Sequence, residues 1–495
     1  MRFLLLLIVV TIPVNRCRAA EPTAWDAKSL DTIVEAARNS WNVPGVAVVL
    51  VHGKNESVRG YGVKTLGNAA PVTPDTVFPL ASCTKAFTTT LLAMVADEGK
   101  LSFDDPVRKH FAEFHLSDPH VDALVTLRDL VSHRTGVRGH DLLWYRAPWD
   151  EAELFRRMAK LPVDRPFRSS FEYSTLMFLA AGKALTNRAE QPWHDLVRSR
   201  ITEPLGMTRT TFSTKDAAFL AADRASGHRE QKDGRIRVET WYEVPTPNPA
   251  GSINLPASDL VPWLRFQLAN GTHAGKRLVS EAQLTITKSP QTIMPMEGGL
   301  KRLNPETVQM SYAMGWIAYD YRGRKVVAHG GMIDGFRIQI TLLPDENLGI
   351  ALLNNLHDTK MNTALTNSLI DKILGLPTID WNAKLLNVVR EDATQNATEV
   401  NARNRARRAD IAPTLELDRY VGTYEDPAYG TATIARDKNG LRFEWSTFRT
   451  PLEPWQGDTF RTTDSFLEDQ LVEFRIGKTT PDALRVLGTI FKRAK

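Results

Sequence analysis

The first three quarters of the chain begin and end with strand-like runs and have helical patterns between them. Residues 46–51 form an apolar, largely β-branched run, and residues 58–61 follow after a polar turn, which is typical of a hairpin. An apolar helical run at 86–95 ends before Gly99. Strand-like runs then return at 311–319, 325–328, 337–343 and 348–353. We therefore predict an α+β fold whose first and last strands share one antiparallel sheet flanked by helices.

A second domain follows, because 495 residues exceed the ~250–300 at which a single hydrophobic core stops growing. Residues 379–412 are polar and charged, and we predict a solvated linker or connecting helix there. Short strand patterns occupy 413–495, where Asn439-Gly440 indicates a hairpin turn. We predict a small all-β, barrel-like domain at 413–495 behind a main domain at 20–378.

The N-terminus resembles an export signal. A basic start at Arg2 is followed by an apolar run to Val14 and by small residues up to Ala20. The run is shorter than the ~20 residues that a membrane-spanning helix needs. We predict a signal peptide at 1–19 and a periplasmic or secreted mature chain without a stable membrane span, the alternative being an uncleaved anchor.

Composition excludes several classes of function. Apolar residues make up 42% and charged residues 24% of the chain, as in ordinary soluble proteins. Loss of the three arginines in the signal would lower the formal charge from +5 to about +2, too little to indicate a nucleic-acid partner. The eleven histidines are scattered, and neither a metal-ligand motif nor a phosphate-binding loop occurs, so we predict no metal and no cofactor.

Ser82 and Lys85 are the strongest candidates for chemistry. They lie three positions apart where the 86–95 helix opens, so the hydroxyl and the amine can meet on one helix face. A serine hydroxyl needs a base to become a nucleophile, and a lysine shielded from water can serve. The neighbouring Cys83 is a rival nucleophile, but its helical position points it into the core.

Two later segments add candidate groups. Tyr173 precedes an apolar helical run, and positive neighbours would favour its ionised form as a base. His329 ends one strand-like run, and Gly330 and Gly331 after it let a substrate approach the backbone. A histidine there can hold a carboxylate or tune the pKa of the site.

The order and spacing of Ser82-x-x-Lys85, Tyr173-Ser174-Thr175 and His329-Gly330-Gly331 resemble the serine β-lactamase-related family. That family includes class C β-lactamases, penicillin-binding DD-peptidases, D-aminopeptidases and related esterases. The resemblance covers roughly residues 25–375, and the C-terminal part resembles a lipocalin-like β domain. Supporting segments are Leu130-Val131-Ser132-His133-Arg134-Thr135-Gly136, Glu203-Pro204-Leu205-Gly206-Met207, Pro249-Ala250-Gly251-Ser252 and Tyr420-Val421-Gly422-Thr423-Tyr424.

The resemblance implies a role for each group. Ser82 would carry the acyl group, Lys85 and Tyr173 would share the proton transfers, and the backbone N–H groups of Ser82 and Met332 would form the oxyanion hole. Two residues depart from the family pattern. Thr175 stands where asparagine usually binds the substrate amide, and His329 stands where lysine supplies a fixed positive charge.

Both departures weaken the case for efficient penicillin hydrolysis. We expect an exported serine hydrolase acting on small peptide, amide or ester substrates. The alternatives are a true class C-like β-lactamase and a non-catalytic penicillin-binding or scaffold protein. The sequence does not indicate the oligomeric state.

Overall fold

The computed structural model describes residues 26–494 except for 242, 245–246, 439, 464–466 and 468. The predicted signal at 1–19 and the turn residue Asn439 lie outside the described residues. The α-helices are α1 (Ala27–Ser40), α2 (Thr84–Asp97), α3 (Pro119–Leu124), α4 (Leu127–Val131), α5 (Glu151–Met158), α6 (Thr175–Ala189), α7 (Trp193–Val197), α8 (Ala217–Ala221), α9 (Leu260–Leu268), α10 (Glu281–Thr287), α11 (Gly298–Leu303), α12 (Met361–Ile373) and α13 (Trp381–Ala406).

The strands of the main domain precede α12. They are β1 (Gly45–His52), β2 (Asn55–Gly62), β3 (Val77–Pro79), β4 (Gly227–Glu230), β5 (Ile236–Glu239), β6 (Asn254–Pro256), β7 (Thr272–His273), β8 (Lys276–Arg277), β9 (Thr292–Met294), β10 (Met310–Tyr312), β11 (Ile317–Tyr321), β12 (Arg324–Ile333), β13 (Phe336–Leu343) and β14 (Leu348–Asn354).

One eight-stranded antiparallel sheet organises this domain, in the order β2-β1-β14-β13-β12-β11-β10-β9. The first strand pairs with the last over its length, with Val46 opposite Asn354 and His52 opposite Leu348. Helices α1 and α12 cover one face of the sheet, whereas α2 and α9 belong to the core on the other. The predicted α+β fold with shared first and last strands is confirmed.

Two predicted runs differ from the observed strands. The run at 311–319 is two strands, β10 and β11, separated by a turn that contains Gly315 with φ 68°. The run at 325–328 does not end at His329, because β12 continues through both glycines to Ile333. Pairing with β13 as far as Ile333 opposite Phe336 keeps this segment extended.

The C-terminal strands close into an eight-stranded barrel, which confirms the predicted all-β domain. Alternate side chains of its strands are buried, as in the second strand and the third. The barrel strands are β15 (Gly422–Asp426), β16 (Gly430–Asp437), β17 (Gly440–Trp445), β18 (Phe448–Gln456), β19 (Thr459–Thr462), β20 (Leu471–Ile476), β21 (Pro481–Val486) and β22 (Thr489–Arg493).

The segment predicted as a polar linker is mostly the helix α13. Its first turn is anchored in the main domain, because Trp381 is buried and donates a 2.9 Å hydrogen bond to Asp371. Its far end reaches the barrel, where the Arg407 guanidinium donates to the Trp455 carbonyl at 2.6 Å. Among the described residues, no helix combines the length and hydropathy needed to cross a membrane.

Candidate active site

Ser82 lies in a single 3₁₀ turn, Ala81–Cys83, that leads directly into α2. Ala81 has φ 47°, a left-handed conformation that costs a non-glycine residue about 1–3 kcal/mol unless its surroundings enforce it. Ala81 and Cys83 are buried, whereas Ser82 is partly exposed. The strained turn therefore presents the serine side chain to the cleft and turns its neighbours inward.

Lys85 meets Ser82 in the predicted way. Its amine lies 3.2 Å from Ser82 Oγ and donates a 2.9 Å hydrogen bond to the Ala250 carbonyl. The side chain is fully buried, and this burial lowers the pKa of Lys85 to about 7, although the negative charge of Asp141 acts in the opposite direction. Near neutral pH a large fraction of the amine is therefore uncharged and has a lone pair to accept a proton.

Tyr173 completes the cluster from the loop before α6. Its ring centroid lies 5.0 Å from Lys85 Nζ, and its phenol interacts with the Ser82 side chain. Burial nevertheless raises the pKa of Tyr173 above its ordinary value, and the Ser82 contact offsets this only in part. The expected ionised phenol is thus not supported, and the resting site holds a neutral tyrosine beside a lysine of lowered pKa.

His133 fixes the loop that carries Tyr173. The Ser174 N–H donates to His133 Nδ1 at 3.1 Å, and the Glu172 N–H donates to the His133 carbonyl at 2.9 Å. The imidazole also packs against the Tyr173 ring, with centroids 4.3 Å apart. The peptide groups on both sides of the tyrosine are therefore tied to one residue. Because Nδ1 accepts a hydrogen bond, the neutral imidazole carries its proton on Nε2.

His329 is buried and hydrogen-bonded on both nitrogens. Nδ1 lies 2.6 Å from the Gly330 carbonyl, which can only accept, so the proton of the ring is on Nδ1. Nε2 then accepts from the Tyr312 hydroxyl at 3.0 Å. Burial, and to a smaller extent the charge of Lys85, lowers the pKa of His329 to about 3. At neutral pH the third family motif, His329-Gly330-Gly331, therefore carries a neutral imidazole rather than a charge that changes with pH.

The two glycines after His329 differ in their surroundings. A Cβ on Gly331 would lie 2.3 Å from the Leu80 carbonyl, so β12 passes too close to the Ser82 turn for any side chain. A Cβ on Gly330 would make only ordinary contacts, beginning at 3.8 Å. In the described residues β11 pairs with β12 only as far as Ala328, which leaves one edge of the following segment, including Met332, open beside the site.

The remaining predicted residues are less informative. Thr175 is the first residue of α6 and is 7% exposed, so little of its surface is open to a substrate. Its role in substrate binding and the role of the Met332 N–H in an oxyanion hole stay predictions. Cys83 is fully buried against the His329 carbonyl, and burial raises the pKa of its thiol to about 12, which makes it a poor nucleophile.

Three groups of the site were not assigned roles from the sequence. Ala250 and His133 lie in two of the segments that support the family resemblance. No local sequence pattern shows that the Ala250 carbonyl contacts Lys85, or that His133 holds the backbone on both sides of Tyr173, a contact we call the His133 clamp. Tyr312 lies in a run predicted only as a strand. Within the part of the chain that the structure describes, no cluster of three or more His, Cys, Asp or Glu side chains is arranged to hold a metal ion.

Comparison with known proteins identifies family models and relatives that this chain matches. The Beta-lactamase family model matches residues 30–374, and a domain of unknown function, DUF3471, matches residues 406–486. An unguisins hydrolase from Aspergillus campestris is 29% identical over 488 residues, covering 92% of this chain and 88% of its own.

Solved structures share the fold. An octameric penicillin-binding protein homologue from Pyrococcus abyssi superposes with a TM-score of 0.63 at 20% identity, over 94% of this chain and 100% of its own. A class C beta-lactamase from Rhodobacter sphaeroides gives a TM-score of 0.56 at 22% identity, over 70% of this chain and 100% of its own. Because the family model spans the sheet, the Ser82 turn and the strand of His329, the chain belongs to the beta-lactamase family and is one of its serine hydrolases.

Proposed function

We propose that this protein is an exported hydrolase that cleaves small peptide, amide or ester substrates through an acyl-enzyme on Ser82. The observation that carries the proposal is the contact between Ser82 Oγ and the Lys85 amine at 3.2 Å, with a lysine pKa lowered to about 7 by burial. A hydroxyl beside a neutral amine is the arrangement that nucleophilic catalysis requires.

Acylation follows from these positions. Ser82 Oγ attacks the carbonyl carbon of the substrate while its proton moves to the neutral Lys85 amine, and the carbonyl oxygen becomes an oxyanion. The N–H groups of Ser82 and Met332 would stabilise that oxyanion. When the bond to the leaving group breaks, the departing nitrogen or oxygen takes a proton from Lys85 or from the neutral Tyr173 phenol, and the acyl group stays on Ser82.

Deacylation reverses the proton movements. A water molecule attacks the acyl carbon, gives its proton to Lys85 or to a Tyr173 that has lost its own, and Ser82 Oγ recovers a proton as it leaves. The product is a carboxylic acid, and both side chains return to their starting protonation states. Where Tyr173 supplies the proton to the leaving group, it acts first as an acid and then as a base, in keeping with a pKa that burial raises.

The substrate class rests on charge at the third motif. His329 is neutral at physiological pH, because burial lowers its pKa to about 3. Substrates that depend on a fixed cation at this point, as penicillins do in family members with lysine there, should bind poorly. The A. campestris relative is named as a hydrolase of unguisins, which supports hydrolysis of substrates other than β-lactams.

Export is part of the proposal because of the apolar stretch from Phe3 to Val14 behind the basic Arg2. Expression of the full chain, followed by N-terminal sequencing of the protein recovered outside the cytoplasm, should show a cut close to Ala19. An intact N-terminus on protein found only in the cytoplasm would reject export without bearing on the chemistry.

The chemistry is tested with a substrate panel. D- and L-peptide p-nitroanilides, p-nitrophenyl esters and a chromogenic cephalosporin should be compared, with Ser82→Ala as the control. We expect turnover of peptides or esters that Ser82→Ala loses, and slow or no turnover of the cephalosporin. Cephalosporin turnover above that of every other substrate would favour the β-lactamase alternative. If no substrate is hydrolysed and no probe acylates the protein, the non-catalytic alternative would be favoured.

A further inference from the structure

An irregular segment borders the site between α4 and α5. We call residues 139–149 the strap; its only helical part is a 3₁₀ turn at Asp141–Leu143. Two of its non-glycine residues, His140 with φ 47° and Arg146 with φ 54°, are left-handed. Such residues seldom adopt this conformation without outside support, so the contacts of the strap decide its shape.

The inner side of the strap lies against the Tyr173 loop. A Cβ on Gly139 would be 3.0 Å from the Tyr173 carbonyl, so the two backbones are in close contact. The Asp141 carboxylate acts electrostatically on both Lys85 and Tyr173: it opposes the larger effect of burial that lowers the pKa of Lys85, and it adds to the effect of burial that raises the pKa of Tyr173. The strap therefore forms one side of the cleft that contains the candidate nucleophile.

The strap is also tied to the strand on the other side of Ser82. The Tyr145 hydroxyl donates to the Asp334 carboxylate at 2.6 Å, and the Arg146 guanidinium pairs with it at 2.9 Å. Asp334 is 4% exposed and immediately follows β12, two residues after Met332. A buried carboxylate with two such partners makes strong, charge-assisted hydrogen bonds. Movement of the strap would therefore be felt at the strand that borders Ser82.

The outer side of the strap is held by the barrel. His140 Nδ1 lies 2.9 Å from the Tyr429 hydroxyl, and the Thr447 hydroxyl donates to the Arg146 carbonyl at 2.8 Å. Trp149 packs edge-to-face against Trp445, with ring centroids 5.9 Å apart. Both left-handed residues of the strap thus hydrogen-bond to the barrel.

From this continuous set of contacts we propose that the strap is the specificity wall of the Ser82 cleft and that the barrel sets its position. The proposal rests on the hydrolase function proposed above. Substrates that extend beyond one residue, such as peptides, should contact the strap. A small ester such as p-nitrophenyl acetate should reach Ser82 without contacting it. The barrel would then act on substrate choice from outside the site, without donating a residue to the chemistry.

The test removes the two barrel hydroxyls that contact the strap, in the double variant Tyr429→Phe/Thr447→Ala. The matched control, Tyr424→Phe/Thr423→Ala, removes the same two groups elsewhere in the barrel, where the Tyr424 hydroxyl donates to the Tyr420 carbonyl. Hydrogen–deuterium exchange of the full-length protein measures the mobility of the strap. The values of kcat/KM for p-nitrophenyl acetate and for tetrapeptide p-nitroanilides measure substrate preference.

We expect the strap variant to exchange faster across residues 139–149 than wild type and control. The ratio of kcat/KM for peptide over p-nitrophenyl acetate should change by about fivefold, the order expected for lost neutral hydrogen bonds. Unchanged exchange would overturn the barrel's part in the proposal. Faster exchange with an unchanged ratio would overturn the specificity wall.

Failure of the proposed function would be seen separately. If wild type hydrolyses neither substrate, or if Ser82→Ala retains the turnover, the hydrolase assignment at Ser82 is wrong and the specificity wall falls with it. Faster exchange in the strap variant alone would then still support the barrel as the support of the strap, and unchanged exchange would reject that as well.

Discussion

Two buried lysines of the main domain have nearly the same lowered pKa and very different neighbours. Burial lowers the pKa of both Lys85 and Lys288 to about 7, and each amine donates to a backbone carbonyl, at Ala250 and Gln267 respectively. Lys85 also lies 3.2 Å from the Ser82 hydroxyl, on the first turn of α2. Lys288 follows the last turn of α10 and holds it to α9.

The difference shows that a lowered pKa does not by itself make an active site. Burial produces a reactive amine wherever a lysine is shielded from water. Of these two lysines in the described part of the chain, only Lys85 meets a hydroxyl, which the strained turn at Ala81 presents to it, and the Tyr173 ring lies 5.0 Å from the same amine. We therefore propose a chemical role for Lys85 and a packing role for Lys288, and the predictions below test that division.

The largest effect is expected from replacing the two lysines in turn. Lys85→Met should lower kcat/KM by about 10³-fold or more, since it removes the base for Ser82. Lys288→Met should leave kcat/KM within about threefold, as for a residue outside the reacting groups. Both variants are assayed with the substrate of the panel that wild type hydrolyses best. Equal losses in the two variants would show that the effect of Lys85 is structural.

The close approach of β12 to the Ser82 turn should give the next largest effect. Gly331→Ala places a methyl group 2.3 Å from the Leu80 carbonyl, so the strand or the turn must shift. A shift of this kind should lower kcat by about 10²-fold. Gly330→Ala, whose methyl group meets only ordinary contacts, should lose far less. Both losses are measured as kcat at saturating substrate. Equal losses in Gly331→Ala and Gly330→Ala would show that activity does not depend on how closely β12 packs against the Ser82 turn.

The pH dependence sharpens the assignment further. Below the Lys85 pKa of about 7 the amine is protonated and cannot accept the serine proton. The value of kcat/KM should therefore fall by about tenfold per pH unit below 7 and level off above it. Lys288→Met should keep this profile. Loss of the profile in that variant would mean that the titration belongs to Lys288.

The smallest effect concerns the clamp on Tyr173. His133→Ala removes the acceptor for the Ser174 N–H, and kcat should fall by about tenfold as the phenol loses its position. His133→Asn offers an amide oxygen near the place of Nδ1 and should recover part of the loss. KM should change little in either variant. A loss in KM alone would assign His133 to substrate binding instead.

Local patterns predicted much of this structure. The contact between Ser82 and Lys85 follows from helical spacing, and the presence of β1 and β14 in one sheet follows from strands at both ends of a domain, although their direct pairing was not predicted. The course of β12 was missed because a Gly-Gly pair usually marks the end of a strand. Here Gly331 is needed inside the strand, where the backbone of Leu80 leaves no room for a side chain.

Contacts between distant segments could not be predicted in the same way. The His133 clamp joins residues 41 positions apart, and the Tyr429 contact to His140 joins residues 289 positions apart. Neither leaves a periodic signal in the sequence. The charge of Tyr173 was also misjudged, because desolvation raises the pKa of the phenol and the Ser82 contact offsets this only in part, which only the folded structure shows.

The most direct test of the account is the mass of the intact protein after reaction with a fluorophosphonate, followed by peptide mapping. One adduct should form, on Ser82, at a rate that rises with pH through about 7 in wild type and in Lys288→Met. Lys85→Met should react far more slowly, and Ser82→Ala should stay unmodified. An adduct on any other residue, or equal reaction of Lys85→Met and wild type, would contradict the assignment of Ser82 and Lys85 as nucleophile and base.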